Sequence, residues 1–171
     1  MKRAIFGIGT MFAVLSVILV ISVIIVVAMA ADWPQFQRDE INIGKTSDCG
    51  PMNGPQLWWW HHIGRIDTVP IVVGDYVYVV ANSKLFKFNK NTGEVIWYTT
   101  IDSTPNFQLS TPAYGNGKIF VANTHGRLYA INATSGDECW DVFVCDGQLN
   151  TPITYYKAPG GYGRVFFGTY K

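Results

Sequence analysis

Three histidines have the most versatile side-chain chemistry in this sequence, because imidazole binds metal ions and transfers protons near neutral pH. They are His61, His62 and His125. His61 and His62 are adjacent, and neighbouring residues on a strand point to opposite faces, so the pair is not expected to share one metal ion. No Cys/His spacing of the zinc type occurs in the chain. We therefore predict neither a metal site nor a catalytic site at these histidines.

The three cysteines, Cys49, Cys139 and Cys145, are too few for a disulfide-dense scaffold. A disulfide between Cys139 and Cys145 is nevertheless a hypothesis for an exported chain. Residues six apart on an extended strand are separated by ~20 Å, whereas a disulfide holds its two Cα atoms roughly 4–7 Å apart. The bridge would therefore need a tight bend at Asp141, or one of the two cysteines has another partner.

Asn132 begins the tripeptide Asn-Ala-Thr, which is an acceptor pattern for N-glycosylation. The same asparagine is explained equally by turn chemistry, because asparagine is favoured at turn positions. The 12 acidic residues are scattered along the chain, and neither a Ser/His/Asp set nor a phosphate-binding glycine loop is present. The residues alone therefore predict no catalytic centre.

Composition narrows the class of protein. Of 171 residues, 49% are hydrophobic, 15% aromatic and only 15% charged. A chain rich in aromatic residues and poor in charge is not typical of intrinsic disorder. The formal net charge of +1 gives no basic field, so nucleic acid is not expected as a partner.

The first 30 residues predict a hydrophobic helix for export or anchoring. After Met1–Arg3, no charged residue occurs up to residue 31. Ala28–Ala30 has the small-x-small pattern of a cleavage site, yet the apolar run is also long enough to span a bilayer. The segment is therefore either a cleaved signal peptide or a retained membrane anchor. Both alternatives place the rest of the chain outside the cytoplasm. It would then be at the cell surface, secreted or anchored to the membrane.

The rest of the chain is a repeat array. An extended leader at 31–55 precedes repeats within 56–171, which run over 69–101, 111–144 and, incompletely, 151–171. Trp97 and Trp140 are separated by about 43 positions, as are Gly93 and Gly136. Each copy consists of short runs rich in Val, Ile, Tyr and Phe between Gly, Asn and Asp turns, without a helical period. This pattern predicts four short antiparallel strands in each copy.

A four-stranded meander that repeats every ~40–50 residues predicts a propeller blade. Because one blade cannot bury both of its faces, blades must stack. The predicted fold is all-β, a partial β-propeller of about three four-stranded antiparallel blades that follows the N-terminal hydrophobic helix. We interpret four residues as structural repeat positions, with the tryptophans packing between blades: Gly93, Trp97, Gly136 and Trp140.

Residues 130–136, Ala-Ile-Asn-Ala-Thr-Ser-Gly, followed by Trp140, resemble the repeat of the PQQ-like (quinoprotein-like) β-propellers. Residues 88–97 are the other full copy, and residues 32–39 are similar to the start of exported, cell-surface members. The chain departs from the usual repeat at four positions: Lys87, Asn89, Asn132 and Ser135. About 140 residues make little more than three blades, so we interpret the chain as an N-terminal fragment whose further partners are the remaining blades. Residues 57–63 resemble the outer strand of another blade, and the edge at 165–167 is expected to be exposed and to self-associate.

The resemblance implies two functions. Catalytic members of the family bind pyrroloquinoline quinone (PQQ) with calcium near the propeller axis, using an adjacent cysteine pair and acidic residues, and this chain has no such pair. We therefore expect a non-catalytic binding or assembly scaffold at the cell surface or in the envelope. It would have no cofactor, would contact the membrane through its N-terminal segment, and would bind protein or glycan partners. The alternative is the N-terminal part of a PQQ-dependent quinoprotein dehydrogenase, with PQQ and calcium.

Overall fold

The computed structural model of the protein describes residues 31–39, 44–46, 56–66, 68–101, 110–149 and 151–170. Within these ranges the chain forms strands and turns but no helix, and so contains no helix that could span a bilayer. The predicted all-β class is confirmed. The helix predicted at residues 1–30 lies outside the described residues.

Three antiparallel sheets follow one another along the chain. The first sheet contains β1 (Ile71–Val73), β2 (Tyr76–Ala81), β3 (Lys84–Asn89) and β4 (Val95–Thr100), hydrogen-bonded in chain order. The second contains β5 (Ala113–Gly115), β6 (Lys118–Ala122), β7 (Arg127–Asn132) and β8 (Glu138–Phe143), in the same order. The third contains β9 (Thr154–Lys157) and β10 (Gly163–Phe166). The predicted four-stranded meander is therefore confirmed for the first two copies.

The first two sheets share an irregularity at equivalent positions. The pairing of β3 with β4 shifts register between Lys87 and Phe88, and that of β7 with β8 shifts after Ala130. Beside these bulges, Trp97 lies opposite Lys87 and Trp140 lies opposite Ala130. A bulge changes the direction of the side chains next to it. The two tryptophans therefore occupy equivalent positions in the first and second sheets.

The core lies between consecutive sheets. Along β6, Ile119 and Val121 belong to an apolar cluster shared with the first sheet, while Phe120 and Ala122 belong to a second cluster shared with the third sheet. This alternation is the period of two along a strand. Strand β6 thus buries both of its faces because a sheet packs on each side of it, whereas β8 is exposed along its whole length.

Candidate functional site

Trp97 joins the first sheet to the second. Its indole Nε1 donates a hydrogen bond of 3.1 Å to the carbonyl of Thr134, in the turn between β7 and β8. The ring rests on Gly136, where a Cβ atom would lie 2.8 Å from Trp97 Cδ2. Gly136 also has a φ of +82°, which side chains disfavour. The repeat spacing of tryptophan and glycine therefore corresponds to a physical contact between neighbouring modules.

Trp59 makes the equivalent contact on the first sheet. Its Nε1 donates 2.9 Å to the carbonyl of Lys90, and a Cβ atom at Gly93 would lie 2.5 Å from Trp59 Cγ. The His61 Nε2 donates 2.7 Å to the Gly93 carbonyl. This part of the chain forms no strand within the described residues. It nevertheless presents a tryptophan to the first sheet as β4 presents Trp97 to the second.

The remaining tryptophan of the repeat, Trp140, is more exposed to solvent than Trp97. Its ring centroid is 6.0 Å from that of Phe120 in its own sheet, and 40% of the residue is exposed. Phe120 in turn stacks on Tyr155 of β9 at 5.6 Å. Trp140 therefore extends an aromatic row toward the third sheet.

Lys87 is a buried cation that sequence reasoning treated only as a departure from the repeat. Its Nζ donates 2.8 Å to the carbonyl of Ala133 in the second sheet and lies 3.8 Å from the ring centroid of Tyr76. The rings of Tyr78 and Trp97 lie within 6 Å. Burial lowers the pKa of Lys87, while the aromatic faces and the carbonyl stabilise the ammonium. The side chain thus crosses from the first module to the second.

Tyr78 shares this inter-sheet contact. Its hydroxyl donates 3.2 Å to the same Ala133 carbonyl. Burial raises the pKa of Tyr78 to about 12, with smaller contributions from Tyr114 and Tyr76. The neutral phenol is therefore the form that the folded protein stabilises.

Residues 32–35 form a staple along the free edges of the first strands of the three sheets. Trp33 exchanges two backbone hydrogen bonds, of 2.7 and 2.8 Å, with β1. The Pro34 carbonyl accepts 2.7 Å from the Tyr114 N–H on β5, and the Gln35 Oε1 accepts 2.7 Å from the Tyr155 N–H on β9. Gln35 is only 3% exposed. One short segment therefore links all three sheets.

The structure does not test the disulfide predicted between Cys139 and Cys145 or the glycosylation predicted at Asn132. Cys139 is exposed on β8, Cys145 is half-buried, and no disulfide joins them in the structure. The disulfide stays a prediction. The Asn132 Oδ1 accepts hydrogen bonds from the N–H groups of Thr134 and Ser135, at 2.8 and 3.1 Å. This is the predicted turn chemistry, and glycosylation at Asn132 stays a prediction.

A cleft of about 470 Å³ opens at the end of the second sheet that carries the β6–β7 hairpin. Its walls come from separate parts of the chain, which explains why the sequence singled out only His125. The lining residues are Thr124, His125, Phe143, Asp146, Gly147, Gln148 and Tyr170. In the described part of the chain, no three His, Cys, Asp or Glu side chains are grouped to hold a metal ion.

Comparison with known proteins finds a family and several relatives. A family model described as outer membrane protein assembly factor BamB matches residues 47–158. A tetrathionate hydrolase of Acidithiobacillus ferrooxidans is 28% identical over 115 residues, 52% of this chain. A quinohemoprotein alcohol dehydrogenase of Comamonas testosteroni is 29% identical over 163 residues, 82% of this chain. The chain spans 22% of the length of each of these relatives.

A solved structure shows the same architecture. The structure titled europium-containing methanol dehydrogenase superimposes with a TM-score of 0.58 and 19% sequence identity. The match covers 78% of this chain and 29% of that one. At this identity the likeness supports the propeller fold alone.

Proposed function

The chain belongs to the PQQ-like β-propeller repeat family, and from that membership we propose that it is a non-catalytic binding or assembly scaffold at the cell surface or in the envelope. The match to a family model described as an outer membrane protein assembly factor supports this function. The chain spans 22% of the length of the first two relatives, and the proposal includes further blades of the same propeller as its nearest partners.

The observation that carries the proposal is that the tryptophans of the repeat pattern, Lys87 and the 32–35 staple all join one part of the fold to another. Trp59 and Trp97 join modules through the turn glycines, Lys87 crosses between two sheets, and the 32–35 staple joins three. A rigid frame of this kind holds its loops in fixed positions, as recognition of a protein or glycan partner requires.

Location outside the cytoplasm is part of the same proposal. The apolar segment at residues 1–30 serves either as a cleaved signal peptide or as a transmembrane anchor. The words "outer membrane" in the description of the family model support an envelope location. Protein or glycan partners would then be met at the cell surface.

A specific observation favours a second function, the N-terminal part of a PQQ-dependent dehydrogenase. The quinohemoprotein alcohol dehydrogenase matches over 82% of this chain. The described residues, however, fit the quinone and calcium poorly. The staple occupies the free edges of β1, β5 and β9, and Cys139 and Cys145 are not adjacent. We therefore derive no step through the quinone.

One experiment separates the two functions. The full-length protein is incubated with PQQ and calcium, and dye-linked oxidation of primary alcohols is measured beside a known quinoprotein dehydrogenase as positive control. The scaffold proposal predicts no oxidation above the protein-free blank. In parallel, chemical cross-linking in intact cells should give a stoichiometric complex with an envelope component. Oxidation that depends on both PQQ and calcium would contradict the proposal.

A further inference from the structure

The cleft at the hairpin end of the second sheet has a preformed framework. The buried Asn123 shapes the hairpin, because its Oδ1 accepts hydrogen bonds from the N–H groups of His125 and Arg127, at 3.1 and 2.9 Å. On the other side, Gln148 and Tyr170 pair through two backbone hydrogen bonds of 3.1 Å. A ligand that enters this cleft therefore need not order its walls, which lowers the cost of binding.

The lining residues combine exposed aromatic rings with mixed hydrogen-bonding groups. Phe143 and Tyr170 are 51% and 74% exposed. Beside them are the imidazole of His125, the carboxylate of Asp146 and the amide of Gln148, which together can donate and accept. A saccharide ring matches this set, because its C–H face packs on aromatic rings while its hydroxyl groups both donate and accept hydrogen bonds.

The charge of the cleft selects against other small ligands. Among the described residues that line it, Asp146 is the one acidic residue, and none is a lysine or an arginine. Phosphate, sulfate and nucleotide ligands would meet a carboxylate without a compensating cation. A neutral ligand avoids this cost, and a single carboxylate can accept hydrogen bonds from two vicinal hydroxyl groups. The volume of about 470 Å³ lies in the roughly 300–1,000 Å³ range of small-molecule clefts.

We propose that this cleft binds a neutral saccharide, with Tyr170 as the aromatic platform and Asp146 as the main hydrogen-bond acceptor. The inference rests on the scaffold function and gives the chemical class of one of its ligands. It places glycan recognition at the β6–β7 hairpin, the connection that follows β8 and the segment after β10 that holds Tyr170.

The test is calorimetric titration of the full chain with maltotriose, cellotriose and N,N′,N″-triacetylchitotriose. At least one of these should bind saturably, and Tyr170→Ala and Asp146→Asn should each weaken its Kd about tenfold or more. Tyr162→Ala and Asp137→Asn are matched controls. Tyr162 is an 80% exposed tyrosine in the β9–β10 turn, Asp137 is an exposed aspartate in the β7–β8 turn, and neither lines the cleft. Both controls should leave Kd unchanged, and unchanged thermal melting shows that all four variants are folded.

Three outcomes would overturn the inference. The first is absence of binding to all three trisaccharides at millimolar concentrations, and the second is binding that both cleft variants leave unchanged. The third is tighter binding of an oligo-arginine peptide than of any saccharide, lost in Asp146→Asn, which would assign the cleft to a basic peptide. The oxidation assay on the same preparation keeps the two proposals apart. Failure of saccharide binding without oxidation overturns only this inference, whereas quinone-dependent oxidation overturns the scaffold function.

Discussion

Replacement of Gly136 by alanine should destabilise the protein through two separable costs. The positive φ of +82° disfavours a side chain by about 1–2 kcal/mol. The new Cβ atom would also lie 2.8 Å from Trp97 Cδ2, and overpacking of this kind costs about 1–3 kcal/mol. The ring cannot retreat without lengthening its hydrogen bond to Thr134. Gly136→Ala should therefore lower the free energy of unfolding by about 2–5 kcal/mol.

Gly117 provides a matched control for the backbone cost. Its φ is +73°, and a Cβ atom there would meet nothing within 4 Å. Gly117→Ala should therefore cost only about 1–2 kcal/mol. In a Trp97→Ala background the steric cost at Gly136 is removed, so Gly136→Ala should there cost no more than Gly117→Ala. The difference between backgrounds is the interaction energy of the pair, about 1–3 kcal/mol.

Urea unfolding of the full chain, followed by far-ultraviolet circular dichroism, measures these free energies for all variants under one condition. The control Gly117→Ala should have the same cost in both backgrounds, because a Cβ atom at Gly117 would meet nothing within 4 Å. Equal costs for Gly136→Ala and Gly117→Ala, with Trp97 present or absent, would refute the reasoning. They would mean that the indole does not rest on the glycine.

Three further predictions address other contacts. Folding raises the pKa of Tyr78 from 10.0 to about 12, so its contribution to stability is fully present below pH 10 and is lost as pH rises to 12. The loss is about 3 kcal/mol and should lower the urea midpoint of the wild type relative to that of Tyr78→Phe. A difference between the two midpoints that stays constant from pH 10 to 12 would contradict this prediction. Gln35→Ala leaves the Tyr155 N–H without its acceptor and should cost about 1–3 kcal/mol, with hydrogen exchange accelerated most in β9 and β10; uniform acceleration would argue against the staple. Phe166→Lys places a charge on the β10 edge, where Phe166 is 53% exposed, and should reduce self-association measured by light scattering; unchanged scattering would show that this edge is not the contact.

The modular fold could be predicted because its signals are local. The strands of the first two sheets coincide with runs of Val, Ile, Tyr and Phe, and the turns fall at Gly93 and Gly136. The spacing of Trp97 and Trp140 indicates the repeat period in the sequence itself. These features depend on neighbouring residues or on the period of two along a strand, which a single sequence displays directly.

The contacts between modules could not be predicted, because they join residues that are distant in sequence. The acceptor for Lys87 is a carbonyl 46 positions away, and Gln35 reaches Tyr155 across 120 positions. A lysine on a strand is ordinarily exposed, so nothing at Lys87 itself indicates burial. The cleft could not be predicted for the same reason, because its lining residues His125, Asp146 and Tyr170 are distant in sequence and come together only in the folded chain.

The most direct test of the stacked-module account is nuclear Overhauser spectroscopy of the isotope-labelled full chain. The account predicts cross-peaks from the indole ring of Trp97 to the Hα atoms of Gly136, which ring current should shift upfield, and the same pair of signals for Trp59 and Gly93. Glycine Hα resonances at ordinary positions, without cross-peaks to either indole, would contradict it.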